Sequence, residues 1–190
     1  MRIPTHFVRK VGVPSLAVVV AAAAAMAPAA SAQRADPIAP ASACPNQTDL
    51  AAPAGVQLQA MLCMTNYARK ASGRRPLSRS RLLARAAGHK SADILACDEF
   101  SHEACGRDFT YWIKRFGYAK GCWTAAENIG YGTGELGSVR EVFSAWMNSP
   151  GHRANILGKF REIGIGLRVG TIQGASGAMV WTQDFGSHGC

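Results

Sequence analysis

The hydrophobic period of this chain switches near residue 160, and the switch restricts the fold class. Upstream, Ser138 with Glu141 three residues later forms a capping box, and Val139, Val142, Phe143 and Trp146 follow at helical offsets until Pro150 ends the run. Downstream, Ile163, Ile165, Leu167 and Val169 alternate within residues 161–170. Met179, Trp181, Gln183 and Phe185 do the same within 178–186, where only Gln183 is polar. These are two strands joined through the Gly-rich 170–177 loop as a hairpin. Three more helices precede them. Residues 55–71 offer Leu58, Met61, Leu62 and Ala68, and residues 79–96 offer Leu82, Leu83, Ala86, Ala87 and Ile94. Residues 107–116 offer Phe109, Trp112, Ile113 and Phe116, while 118–132 reads as a further strand or an extended loop. Helices followed by terminal strands predict an α+β protein, with helices packed on a small, mainly antiparallel sheet.

Residues 1–32 differ from the rest. Arg2, Arg9 and Lys10 precede a long apolar stretch that closes on Ala-Ser-Ala before Gln33, the pattern of a cleaved secretory signal. Residues 33–54, rich in Ala and Pro, read as an N-terminal arm, and 55–190 as the folded domain. Three of the 21 Lys and Arg lie in the leader and none of the 12 Asp and Glu, so the mature chain carries 18 − 12 = +6. That balance suits an anionic surface such as a cell envelope. No dense basic tract or nucleic-acid motif accompanies it, so nucleic acid is not an expected partner. No later segment is apolar for long enough to span a membrane. A monomer that is secreted or extracytoplasmic is expected.

All six cysteines, Cys44, Cys63, Cys97, Cys105, Cys122 and Cys190, follow the leader, which predicts disulfides in an oxidising compartment. The pairing expected is Cys44–Cys63, Cys105–Cys122 and Cys97–Cys190.

Four groups stand at element edges, where side chains can converge on a cleft: His102 after the second helix, Glu127 in a Gly-flanked segment, His152 after the fourth helix, and Glu162 before the late strand. Two imidazoles and a carboxylate can hold a divalent ion such as zinc, with His102, His152 and Glu127 as ligands. They can equally shuttle protons, or brace loops through hydrogen bonds. Asn66, Arg69, Arg153 and Asn155 are read as structural, tying turns to their neighbours. His89 is expected to pack between helices and His188 to be exposed. Trp146 and Trp181 suit the core, or the wall of an apolar groove. His102-Glu103-Ala104-Cys105-Gly106 does not continue to a second histidine, and no nucleophile elbow or phosphate loop is present.

Taken in order, NYAR, KSADILACDEFSH, AAENIG, FSAWMNSPGHRANIL, FREIGIGL and VWTQDFG resemble a bacterial CAP or SCP-like domain over roughly residues 58–187. That superfamily includes cysteine-rich secretory proteins, antigen 5 and plant pathogenesis-related protein 1. The resemblance implies an α-β-α sandwich with a central cleft holding His102, His152 and Glu127. Ser149 stands where eukaryotic members carry a second acid, a place Glu162 would have to fill. The implied role is binding or interaction with an envelope, lipid or protein ligand, ahead of conventional catalysis. The alternatives are a metal-assisted hydrolase of peptide or envelope material, and a lipid-binding or surface module.

Overall fold

The computed structural model describes residues 37–189, so the signal expected in 1–32 lies outside the described residues. Its helices are α1 (Ala54–Ala71), α2 (Arg81–Ala96), α3 (Tyr111–Arg115), α4 (Val139–Asn148) and α5 (Pro150–Ile156). Its strands are β1 (Ser78–Arg79), β2 (Trp123–Gly132), β3 (Glu162–Ile172) and β4 (Ala175–His188). They form one sheet in the order β1-β3-β4-β2, antiparallel except for the short β1–β3 pair.

Three helix starts have a local cause. Ser80 and Ser138 accept from Leu83 N and Glu141 N respectively, capping α2 and α4. Pro150 does end α4, as the sequence predicts, but it also begins α5 at the first helical position, where a missing N–H costs nothing. His152 therefore sits in a short helix rather than in a turn. The third helix is shorter than expected, and the 170–177 loop contracts to Gln173-Gly174. Both residues take positive φ (48° and 79°), as a two-residue hairpin turn requires.

The sheet is buried on both faces. One face meets α1, α4 and α5 through a core that includes Met61, Met64, Phe143, Trp146, Trp181 and Phe185. The opposite face meets α2 through Leu83, Ala86 and Ile94, with Val180 and Ile129 beneath. Leu82, expected inside, is 37% exposed, because the buried side of α2 runs through Leu83, Ala86, Ala87, Lys90 and Ile94. His89 is exposed, yet its ring lies 4.5 Å from Trp112 and 5.0 Å from Phe116 of the α3 segment. The described part of the arm is docked: Ala39 and Cys44 are buried, and Arg140 donates to Gln47 Oε1 (2.6 Å) and Ala39 O (3.2 Å).

The disulfide expectation holds at one place and fails at two. Cys44–Cys63 forms, with Cα atoms 5.7 Å apart. Cys97 pairs with Cys105, Cα atoms 5.5 Å apart, so neither Cys97–Cys190 nor Cys105–Cys122 exists. The chain doubles back directly after α2, and Cys105, held at φ 61°, brings its thiol to the helix end. Cys122 is itself disulfide-bonded, and Cys190 lies outside the described residues.

The α2 layer rests on bare backbone. A Cβ on Gly164 would lie 2.0 Å from Leu83 C, and one on Gly166 2.3 Å from Ala87 C. Replacing Gly166 by Ala forces the helix off the sheet. We expect a loss of about 3 kcal/mol in urea unfolding, against little change for Gly151→Ala, where a Cβ meets nothing within 4 Å.

Candidate functional site

Strand β2 is one edge of the sheet, and there the two helical layers each deliver a histidine. From the α2 side, the segment closed by Cys97–Cys105 carries His102, whose Nδ1 lies 2.7 Å from Glu127 Oε1 in β2. Half of the imidazole is exposed while the Glu127 side chain is almost wholly buried. Lys90 reaches from the buried face of α2 and donates to His102 O (2.6 Å) and Arg107 O (3.1 Å), fixing the backbone of this segment. Its ammonium is itself buried, so those two carbonyls satisfy a charge that would otherwise be costly.

Beneath His102 lies a second carboxyl. Glu127 and Asp184 face each other directly across the β2–β4 ladder. Both are buried, and Glu127 Oε2 and Asp184 Oδ1 have no hydrogen-bond partner among the described residues. Ionising both carboxyls of such a buried pair is unfavourable, which favours holding a proton between them. Burial raises the Asp184 pKa well above the usual carboxylate range, and the Glu127 charge raises it further. Burial also raises Glu127, against the opposing effects of His102 and Lys90. Both shifts favour a proton held within the pair, and Glu127 Oε1 faces His102 Nδ1.

From the other layer, α5 presents His152. Asn128 Nδ2 donates to His152 O (3.2 Å) and to Gln183 Oε1 (3.3 Å). Asn155 Nδ2 donates to Asn128 Oδ1 (2.9 Å) and Glu127 O (3.2 Å), so it locks α5 to the strand that carries Glu127. Gln183 donates in turn to Thr65 Oγ1 of α1 (2.9 Å). Burial lowers the His152 pKa, and the nearby His102 lowers it further, which favours a neutral imidazole. Beside His152 runs a groove of about 630 Å³ between β2 and α4, walled by Phe100, Ile129, Tyr131, Leu136, Val142 and Trp146, with Glu141, Ser149 and His152 among its polar lining. Trp146 combines core and wall: it is buried and donates to Ile129 O at 2.9 Å.

Thus His102, Glu127 and His152 gather at one edge, whereas Glu162 does not join them. Its Oε2 accepts from Tyr118 OH (2.8 Å), and it lines a separate depression at the start of β3. Asn66 exchanges hydrogen bonds with Leu77 (3.1 and 2.8 Å), and Arg69 and Asn155 are likewise braces. Arg153 is exposed on α5, and its guanidinium clamps nothing among the described residues. Sequence reasoning missed Lys90 and Asp184. Lys90 lies seven residues after Leu83 on the stripe that includes Ala86 and Ala87, and Asp184 alternates with Val180 and Thr182 on the second face of β4. A charged residue on the buried period of its element was the one trace of them in the sequence. Among the described residues, no group of three or more His, Cys, Asp and Glu side chains is placed to hold a metal ion.

The shared proton makes a testable sign. With folded-state pKa values raised, the pair's contribution is intact below the ordinary carboxylate pKa and is lost as pH rises toward the folded values. Urea unfolding from acid to neutral pH should show Asp184→Asn gaining on the wild type as pH rises. A constant difference between the two proteins at every pH would contradict a shared proton.

Comparison with known proteins agrees with this architecture. The profile described as the cysteine-rich secretory protein family, CAP, matches residues 62–185. The uncharacterized protein YkwD of Bacillus subtilis is 35% identical over 152 residues, spanning 77% of this chain and 54% of that protein. An extracellular SCP-domain protein of Bacillus anthracis superposes with a TM-score of 0.54 at 24% identity, covering 69% of this chain and 40% of that one. A cysteine-rich secretory protein of Staphylococcus aureus gives 0.52 at 26% identity over 70% and 39%. An outer surface protein of Borrelia burgdorferi gives 0.61 at 15% identity over 73% and 97%, a likeness of fold alone. The chain spans about half the length of the curated relative it matches. With the sandwich, the ordered motifs and this match in agreement, the chain belongs to the CAP, or cysteine-rich secretory protein, family.

Proposed function

We propose that this is a secreted binding module that receives an amphipathic ligand at the β2 edge, its apolar body in the groove and its polar end at His152. The observation that carries the reading is the groove itself. Phe100, Ile129, Tyr131, Leu136, Val142 and Trp146 give it apolar walls, and Asn148, Ser149 and His152 add polar groups where α4 meets α5, a combination that suits a small amphipathic ligand. Phe100 and Tyr131 meet edge to face with centroids 4.8 Å apart, giving the mouth a firm wall. Disulfides at Cys44–Cys63 and Cys97–Cys105 place the chain in an oxidising compartment. The extracellular and secretory descriptions of the Bacillus anthracis and Staphylococcus aureus proteins support secretion. Among the described residues, no helix is long and apolar enough to cross a membrane.

In this reading the histidines recognise rather than attack. Two neighbouring imidazoles, one oriented by a carboxylate at its Nδ1, match the donor chemistry of zinc, with Glu127 supporting His102 from behind. A divalent cation would be held by His102 and His152, and would offer a Lewis-acid centre to an anionic ligand end. Two protein donors leave the remaining positions to ligand or solvent, so uptake would be weaker than at a closed structural site.

The decisive measurement uses a fluorescent long-chain carboxylic acid. Ala145 is exposed and lines the groove, and Ala145→Trp fills it. We expect the wild type to bind and the variant to lose about tenfold or more in affinity. Equal binding by both proteins would sink the groove reading. Calorimetric zinc titration tests the metal separately: His102→Ala and His152→Ala should each abolish the heat, and unchanged heats would remove the cation from this site.

A further inference from the structure

At the start of β3, away from the histidines, the chain builds a second depression of about 770 Å³, which shares no lining residue with the His152 groove. We propose that it is an anion site for a ligand bearing more than one phosphate group. The proposal rests on charge and geometry, and it is independent of the reading given to the cleft.

Arg69 forms its floor. This side chain is buried in α1, and it donates to Arg75 O (2.8 Å), Ile156 O (2.6 Å), Gly158 O (3.0 Å) and Phe160 O (3.3 Å). One guanidinium thus stitches the turn after α1 to the connection between α5 and β3. All four partners are carbonyls, so the cation has no carboxylate counter-charge. Burial lowers its pKa and Arg74 lowers it further, which reports how close a second cation stands.

The two stitched loops then supply Arg74 and Arg75 from one side and Lys159 and Arg161 from the other, all four exposed. Among the described residues the ion pairs are His102–Glu127 and Arg107–Asp93, and neither involves these groups. Glu162 is the one carboxylate in the lining, and it already accepts from Tyr118. Four unpaired cations therefore converge above a fifth that is fixed and uncompensated. A scatter of solubilising lysines would lie apart and be mobile. Here three arginine forks and a lysine are presented by backbone that Arg69 holds in place. Planar guanidinium groups suit the paired oxygens of phosphate, and a ligand with several negative charges matches several cations in one concavity. A soluble or polymeric phosphate and a phospholipid headgroup share that chemistry.

The test titrates the full chain with sodium tripolyphosphate by calorimetry, at low and at physiological ionic strength. In parallel, it is sedimented with phosphatidylcholine vesicles containing cardiolipin, whose headgroup carries two phosphates. Three proteins are compared: wild type, Arg74→Glu with Arg161→Glu, and a control of equal charge change, Arg115→Glu with Lys120→Glu, at exposed positions outside the depression. We expect wild type and control to bind alike, and the first variant to lose about tenfold or more. Binding to tripolyphosphate with this pattern assigns a soluble or polymeric phosphate, and binding to vesicles alone assigns a headgroup. No binding to either probe, or the same loss in the control, overturns the proposal.

Discussion

The approach of α2 to the sheet is the constraint on which the rest depends. Glycines at 164 and 166 leave no side chain between the helix and β3, so helix backbone lies against strand backbone. At that distance a residue one turn along the helix reaches the next strand. Ser91 Oγ lies 2.8 Å from Thr182 Oγ1 of β4, and Lys90 is drawn under the sheet edge, where its charge acts on both Glu127 and Asp184. An ordinary helix-to-sheet gap filled by large side chains would place that ammonium too far away. The buried acid pair would then lack its neighbouring cation.

The β2 edge is where the two layers exchange polar contacts. Glu127 and Asn128 are consecutive and point to opposite faces, as strand geometry demands. Glu127 turns toward α2 and meets His102, while Asn128 turns toward α1 and α5 and meets Gln183 and the His152 backbone. A single-residue step in one strand thus links the segments of two histidines that stand fifty residues apart in sequence. Ser149 places a hydroxyl at the C-terminal end of α4, where it lines the groove.

The elements with a strong period were legible. The capped α4, the buried stripe of α1 and the late hairpin all follow from spacing, and so does the placing of His102, Glu127 and His152 near a common edge once the ordered motifs are recognised. What escaped depended on through-space facts. Proline reads as a stop, and its second use as a start depends on the next seven residues packing onto β2. Glu162 carries a charge at a strand start, and only the fold reveals that Tyr118 claims it. The cysteine pairing turned on one residue at positive φ, which reverses the chain directly after a helix. Lys90 and Asp184 lie on the buried periods of their elements, where a charge looks like noise unless its counterpart on another element is known.

The Cys97–Cys105 bridge closes a ring that contains both Phe100 at the groove mouth and His102. Such a ring samples few shapes even before the chain has folded around it. The loss of freedom needed to present these two side chains is met once, when the thiols oxidise, and not again at each encounter with a ligand. In the proposed binding role, affinity at this edge would therefore belong partly to the history of the molecule. A chain that folded in reducing surroundings would have the same residues and would be the poorer receptor.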